Sequence, residues 1–205
     1  MGDPRKIRKK YETPTHPWQK DRIQEEVELV KKYGLKNKRE LWKAQTMLRK
    51  FRGQARLLVA RERAGDVQAE KEREQLLNRL ARLSILPEDA NLDDVLGLDV
   101  ERILDRRLQS VVFNRGLANT VKQARQFIVH GHTSVSGRKV TIPGYLVRKL
   151  EEDEIDYNPT SAISNDLHPV RPKAKIGGGG IAIQPAEAEP AAEPAAEPVK
   201  NEDTS

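Results

Sequence analysis

The stretch from Ile103 to Ile155 places two short helical patterns directly before a strand pattern that is interrupted by glycines. Within it, residues 111–150 contain seven Lys and Arg side chains and no Asp or Glu. No acidic neighbour in those residues can therefore neutralise the basic ones. This order of elements predicts a small α+β unit with one uncompensated basic face, which is typical of a surface that binds a polyanion.

The first helix of this stretch is expected to run from an N-cap at Asp99 to about Phe113. Its apolar side chains recur on one arc at 100° per residue, as in a helix that packs on a core. Arg107 falls inside that arc, so its side chain must either extend to solvent or find a partner.

The second helix is expected to begin after Thr120, because Gln123 follows at the spacing of a capping box. Its apolar face includes Phe127 and Ile128, and its opposite face is polar and basic. Gly131 then supplies the left-handed conformation in which many helices end.

A β-hairpin is predicted next, because residues 133–136 and 139–142 alternate in polarity around a Ser136-Gly137 turn. A further turn at Pro143-Gly144 leaves Tyr145 to Leu150 as a possible additional strand. The expected fold class is α+β, with an N-terminal helical region followed by a small helix-helix-β-hairpin module.

Charge is distributed unevenly along the 205 residues, although the net charge is only +6. Residues 1–60 have a net charge of +10 and residues 111–150 of +7, whereas residues 61–110 have −3 and residues 151–205 have −8. Two basic zones separated by a near-neutral one favour an extended polyanionic partner such as RNA.

The sequence divides into four predicted parts. Residues 1–17 form a basic arm that is either a solvated disordered tail or a segment that orders against phosphates. Residues 18–98 form a helical domain, residues 99–165 form the module, and residues 166–205 form a flexible extension. This extension ends in an Ala/Glu/Pro-rich acidic tail that is predicted to be disordered.

The helical domain is expected to contain helices from Trp18 to Tyr33, from Asn37 to about Arg63 and from Asp66 to about Leu83. The second of these is strongly basic, and Glu40 is its only acidic residue before Glu62. This imbalance predicts contact with RNA rather than a merely solvated face.

The module also resembles a known family. The resemblance rests on short motifs: Arg107-Leu108, Thr120 with Ala124-Arg125-Gln126 and Ile128, Gly131-His132, and Val135 with Gly137. These are similar to the RNA-binding module of small-subunit ribosomal protein four, which also occurs in tyrosyl-tRNA synthetases, pseudouridine synthases and a heat-shock ribosome-binding protein. Many members have Asp, Arg and Asn at the positions of Gln109, Val121 and Ser136.

Residues 1–170 as a whole resemble the archaeal and eukaryotic branch of that ribosomal family. The motifs that support this are Gly2-Asp3-Pro4, the run from Lys9 to Pro14, His16-Pro17-Trp18, and the run from Tyr33 to Trp42. The resemblance implies a structural protein that binds small-subunit ribosomal RNA directly and early in assembly. It also implies small-subunit protein five and other small-subunit proteins as neighbours, mRNA nearby where it enters the subunit, and an influence on translational accuracy.

Candidate RNA-binding residues come from both basic zones and from the polar face of the second module helix. They are Lys6, Arg8, Lys9, Lys10, Arg49, Lys50, Arg52, Arg56, Arg106, Arg107, Lys122, Arg125, Gln126, His130, His132, Arg138 and Lys139. His130 and His132 have a conceivable metal-ligand spacing, but no cysteine accompanies them. We expect them to face RNA, or alternatively to cap the second helix.

No cofactor, metal, small-molecule substrate or membrane partner is predicted. The chain contains no cysteine, no apolar run of about 20 residues, no secretory signal pattern and no motif for catalysis. A cytoplasmic protein is therefore expected, and the family resemblance implies that it lies within the ribosome. Three alternatives remain: a free RNA chaperone of stalled or partial ribosomes, an RNA-modifying enzyme, and a DNA-binding protein.

Overall fold

The computed structural model describes residues 9–165 and 168–172. Lys6 and Arg8, and the acidic tail within residues 173–205, lie outside the described residues. Among the residues described, no helix combines the length and the apolar character that a bilayer span requires.

Five helices form the N-terminal part of the fold: α1 (Lys20–Lys32), α2 (Lys38–Arg63), α3 (Val67–Arg82), α4 (Leu92–Gly97) and α5 (Val100–Asp105). The predicted N-cap of α3 is confirmed, since the Asp66 carboxylate accepts a hydrogen bond from the Gln68 amide at 2.9 Å. Asp94 accepts one from the Asn91 amide at 2.8 Å, so it serves the first turn of α4.

The long helix α2 is the central helix of this part. It buries the stripe that its 3.6-residue period predicts: Leu41, Ala44, Leu48, Ala55 and Leu58. Helices α1, α3, α4 and α5 pack around it. We call the resulting core the N-terminal cluster, which includes Tyr33, Leu41, Leu48, Leu58, Leu80, Val95, Ile103 and Leu104.

The rest of the chain contains α6 (Leu108–Asn114), α7 (Val121–His130), β1 (Thr133–Val135), β2 (Arg138–Lys139), α8 (Lys149–Glu152) and β3 (Ile155–Tyr157). The strands form one antiparallel sheet in the order β2-β1-β3. The predicted hairpin and the left-handed Gly131 (φ +77°) are confirmed. The second core, the C-terminal cluster, includes Leu108, Val112, Ala124, Phe127, Ile128, Val147 and Ile155.

The prediction of one helix from Asp99 to Phe113 is wrong. The helix stops at Asp105, and Arg107 has an extended backbone (φ −73°, ψ 143°) before α6 begins. Leu146 forms an isolated antiparallel bridge with Arg107, and such pairing requires an extended and not a helical backbone at Arg107. The break lets α5 pack in the N-terminal cluster while α6 packs in the C-terminal one.

The prediction of a strand from Tyr145 to Leu150 is also wrong. Only Leu146 pairs, and residues 149–152 turn into α8. The Glu151 carboxylate accepts hydrogen bonds from the Arg148 amide (3.2 Å) and from the Tyr145 hydroxyl (2.8 Å), which closes the chain into a helical turn. The third strand of the sheet is β3.

Candidate nucleic-acid interface

A partly buried ionic junction joins the two parts of the fold. Glu40, in the first turn of α2, accepts hydrogen bonds from Arg107 Nη2 (2.8 Å), Arg125 Nη2 (2.6 Å) and Arg125 Nη1 (3.1 Å). Gln109 accepts a further one from Arg125 Nη1 at 3.2 Å. We call these four residues the Glu40 junction.

The contacts of the junction favour the ionised forms of Glu40 and its two arginine partners. Burial raises the pKa of Glu40, but hydrogen bonds and positive charge from Arg125 and Arg107 outweigh it and hold the pKa below its usual value. The Arg107 side chain is only 8 % exposed, so its charge depends on this carboxylate.

Gln109 ties the junction to the backbone. Its amide nitrogen lies within hydrogen-bonding distance of the carbonyls of Tyr33 (3.3 Å), Gly34 (3.1 Å) and Val121 (3.0 Å). It therefore links the end of α1 to the start of α7. Of the two expectations for Arg107, the structure shows the second: its side chain has a partner, Glu40. The junction thereby holds α2 against α6 and α7.

Several residues predicted to contact RNA take part in these internal contacts. Arg107 and Arg125 lie in the Glu40 junction, and Arg106 pairs with Glu152 at 2.8 Å. Sequence reasoning did not identify Glu40 and Gln109 as the residues that organise this region. The available signal was Glu40 itself, an isolated acid in the basic run of α2.

The remaining module candidates form an exposed surface that we call the module edge: Lys122, Gln126, His130, Arg138 and Lys139. Among the residues that the structure describes, none of the three cationic side chains at this edge pairs with a carboxylate. The two regions that carry them adjoin, because the Lys139 side chain lies over Gly131 at the end of α7. A Cβ atom at position 131 would clash with Cε of the Lys139 side chain.

The two histidines lie beside Lys139. Their rings are nearly parallel, with centroids 6.0 Å apart and an interplanar angle of 10°. His132 Nδ1 also lies 2.7 Å from Ser161 Oγ. Burial lowers the pKa of His132, and the nearby charges of His130, Lys139 and His168 lower it further. His132 is thus partly buried and contacts Ser161, whereas His130 is exposed.

No group of three or more His, Cys, Asp or Glu side chains in the described part of the chain is arranged to hold a metal ion. The His130–His132 pair therefore offers aromatic faces and ring nitrogens rather than a complete ligand set.

The basic residues of α2 are partly engaged within the protein. Arg49 pairs with Glu12, and Arg52 donates a hydrogen bond to the Leu98 carbonyl. Lys50 and Arg56 are exposed, as are Lys9 and Lys10 of the arm. The structure therefore brings the candidates together on two surfaces, the module edge and α2 with its adjoining arm.

Comparisons with known proteins agree with this architecture. Residues 3–105 match the profile of the "Ribosomal protein S4/S9 N-terminal domain", and residues 106–155 match that of the "S4 domain". The chain is similar to small ribosomal subunit protein uS4 of Thermoplasma acidophilum, at 56% identity over 83% of this chain and 86% of the relative.

Two further relatives carry the same name. That of Methanococcus aeolicus is 56% identical over 83% of this chain and 96% of its own length. That of Methanococcoides burtonii is 52% identical over 84% of this chain and 95% of its own length. The resemblance noted from short motifs thus extends over most of the protein, and the chain belongs to the family of small ribosomal subunit protein uS4.

Proposed function

We propose that this ribosomal protein, a structural component and not an enzyme, binds small-subunit ribosomal RNA directly through the module edge and through the basic side of α2. The observation that carries the proposal is the module edge itself. There, Lys122, Arg138 and Lys139 are exposed and have no carboxylate partner among the described residues. A phosphate backbone supplies the negative charge that this surface lacks.

Preorganised shape is the proposed mechanism. Lysine and arginine side chains on α2, α7 and β2 would contact phosphates, while Gln126 and the exposed ring of His130 would offer hydrogen bonds and a stacking face to bases. The Glu40 junction supports this mechanism, since it holds the two basic surfaces in one arrangement before RNA arrives. Arg106, Arg107 and Arg125 would then act by positioning.

The experiment that tests the proposal is binding of the full chain to transcribed small-subunit ribosomal RNA across a salt series. The variant carries Lys122→Ala, Arg138→Ala and Lys139→Ala together. If each side chain neutralises one phosphate, the slope of log K against log salt becomes shallower by about 3, and affinity falls at every salt concentration.

A matched control removes equal charge from elsewhere with Lys31→Ala, Lys71→Ala and Arg82→Ala, three exposed cations of α1 and α3. Its slope is expected to change much less. Equal losses in both triple variants would mean that net charge, not the module edge, determines binding. Unchanged binding of the module-edge variant would refute the proposed surface.

We also propose the finer roles that the family resemblance implies: early binding during assembly of the subunit, contact with small-subunit protein five, mRNA nearby, and an influence on translational accuracy. Reconstitution of subunits with and without this protein tests the first of these. If the other small-subunit proteins bind the ribosomal RNA equally well without it, the early role is excluded.

A further inference from the structure

The arm packs against α2 through specific contacts from residue 11 onward. The ring of Tyr11 lies 6.2 Å from that of Trp42, and the Glu12 amide donates a hydrogen bond to Thr46 Oγ1 at 3.1 Å. Arg49 pairs with the Glu12 carboxylate. The arm therefore follows α2 for more than one turn and leaves a groove beside it.

That groove has a volume of about 630 Å³ and lies between residues 12–16 of the arm, the first residues of α1 with the preceding Gln19, and the middle of α2. Four arginines line it: Arg22, Arg49, Arg52 and Arg56. The last three are spaced at i, i+3 and i+7 on α2, so they share one face of the helix.

The two carboxylates of the groove already have partners. Glu12 pairs with Arg49, and Glu26 pairs with Arg22 (2.7 Å) and Lys38 (3.1 Å). Four guanidinium groups against two carboxylates leave the groove with net positive charge, so it is complementary to an anion.

Two donors in the groove wall lack acceptors. The Nε–H groups of Arg22 and Arg52 are buried and have no hydrogen-bond partner among the described residues. A buried donor without an acceptor is unfavourable, and phosphate oxygens are strong acceptors for guanidinium groups. Glu26 Oε2 in the same wall is also buried without a hydrogen-bond partner among the described residues, so the net positive charge of the groove is the observation that points to an anionic ligand.

Trp18 immediately precedes Gln19, which lines the groove, and is 92% exposed. The turn that carries it is braced, since Arg22 Nη2 donates hydrogen bonds to the carbonyls of His16 and Pro17, both at 2.9 Å. Trp42 differs, because its Nε1 donates to Glu26 at 3.1 Å. A large aromatic ring that no described part of the chain covers, on a turn held by two hydrogen bonds, is suited to stacking.

We propose that this groove binds an unpaired segment of the small-subunit ribosomal RNA, with one base stacked on the Trp18 ring and adjoining phosphates held by Arg49 and Arg56. The inference rests on the proposed function and deepens it, because it adds a base-stacking residue to phosphate contacts. Unpaired bases stack on aromatic side chains next to basic grooves in many proteins that bind single-stranded nucleic acid. The basic groove favours RNA over a protein partner for Trp18.

The test compares full-length Trp18→Leu and Trp18→Phe in binding to transcribed small-subunit ribosomal RNA. Loss of one base–aromatic stack corresponds to a weakening of about fivefold or more, so Trp18→Leu is expected to bind at least about fivefold more weakly. Trp18→Phe retains a ring and is expected to recover most of that loss. Leu150→Ala, which shortens another exposed apolar side chain (87% exposed), is the matched control and should bind like the wild type.

A second readout is the fluorescence of the two tryptophans, of which Trp18 is the more exposed. Acrylamide, a neutral quencher, reaches the exposed Trp18, and its quenching of tryptophan emission should fall when RNA is added. Thermal unfolding should be the same in all variants, since Trp18 is almost fully exposed.

Different outcomes separate this inference from the proposed function. If wild-type protein binds the RNA and Trp18→Leu binds equally well, the stacking site is refuted while the proposed function stands. The same conclusion follows if Trp18 remains quenchable in the RNA complex and becomes protected only in subunits that contain the other proteins, because Trp18 would then contact protein. If the wild type itself fails to bind, the proposed function is refuted.

Discussion

Two basic residues of α7 that lie three positions apart are used very differently. Arg125 has Glu40 and Gln109 within hydrogen-bonding distance. Lys122 is exposed, and no described carboxylate pairs with it. The difference shows that basic residues within one family motif divide into those that hold the protein together and those that stay exposed, and the proposed function assigns the exposed ones to RNA.

The same contrast separates the Glu40 junction from the whole module edge. Charges in the junction are largely removed from water, so each depends on the presence of its partner. Charges at the module edge remain hydrated, and their loss should hardly affect folding. Substitutions in the two places should therefore give opposite patterns: lost stability in the first, and lost RNA affinity with normal stability in the second.

The largest effect is expected from Glu40→Gln, which removes the negative charge that Arg107 and Arg125 share. Removal of one partner from a fully buried ion pair costs roughly 3–5 kcal/mol. Because the Glu40 and Arg125 side chains are each 20% exposed, the free energy of unfolding measured with urea should fall by less, about 2 kcal/mol. Glu88→Gln, which removes an exposed ion pair with Lys149, is the control and should leave the urea midpoint nearly unchanged. A Glu40→Gln midpoint equal to that of Glu88→Gln would contradict the assignment of the junction.

Acid should weaken the same junction. Because the folded-state pKa of Glu40 is below its usual value, its ion pairs contribute stability above about pH 4.3, the ordinary pKa of Glu, and this contribution is lost as pH falls through the folded value. Wild-type protein should therefore lose more stability than Glu40→Gln between pH 6 and pH 3. Parallel stability curves for the two proteins would show that Glu40 does not contribute in this way.

At the end of α7, Gly131→Ala should destabilise the protein by about 1–2 kcal/mol, because the residue has a φ of +77°. The new methyl group would also displace the Lys139 side chain from its position over Gly131. RNA affinity should consequently fall in addition to stability, which would connect the fold of the module to its edge. Unchanged stability in urea would contradict the left-handed assignment.

The matched change in the N-terminal part is Gly53→Ala, which should have the opposite sign. Gly53 lies inside α2, and no neighbouring group approaches the position of a Cβ atom within 4 Å. Alanine has a higher helix propensity than glycine, so the free energy of unfolding should rise by up to about 1 kcal/mol. Destabilisation would indicate a close approach that the structure does not contain.

The smallest effect concerns His132, which lies near His130, Lys139 and His168. Its lowered pKa means that folding favours the neutral ring. The associated stability is present above about pH 6.5, the usual His pKa, and declines as pH falls towards the folded value. His132→Asn should therefore make the thermal unfolding temperature less dependent on pH between 7.5 and 5.5. An identical pH dependence in both proteins would exclude this contribution.

Local sequence patterns were sufficient to predict the bounds of several helices and the position of the hairpin. The bounds of α2, α3 and α7 follow from helical periodicity and from their caps, and the Ser136-Gly137 turn marks the hairpin. These features depend on residues that are close together in the chain, which is why a single sequence reveals them.

Long-range contacts account for what the sequence did not reveal. The break at Arg107 depends on Leu146, and the pairing of Arg107 with Glu40 spans 67 residues. Helical periodicity contains no information about either contact, so the pattern from Asp99 to Phe113 appeared continuous. The same limitation made Arg107 and Arg125 indistinguishable from Lys122 as candidate ligands.

Helix α2 also sets an angular relation between the two proposed binding surfaces. It has 26 residues, and Glu40 and Arg56 are separated by about 24 Å along its axis at 1.5 Å per residue. Each residue also turns the helix by about 100°. Insertion of one residue between Lys43 and Arg49 would hence rotate the groove about a quarter turn relative to the module edge while moving it only about 1.5 Å. If both surfaces bind RNA, the number of residues in α2 determines the distance and angle between the two RNA segments that they contact. This constraint does not depend on which side chains make the contacts.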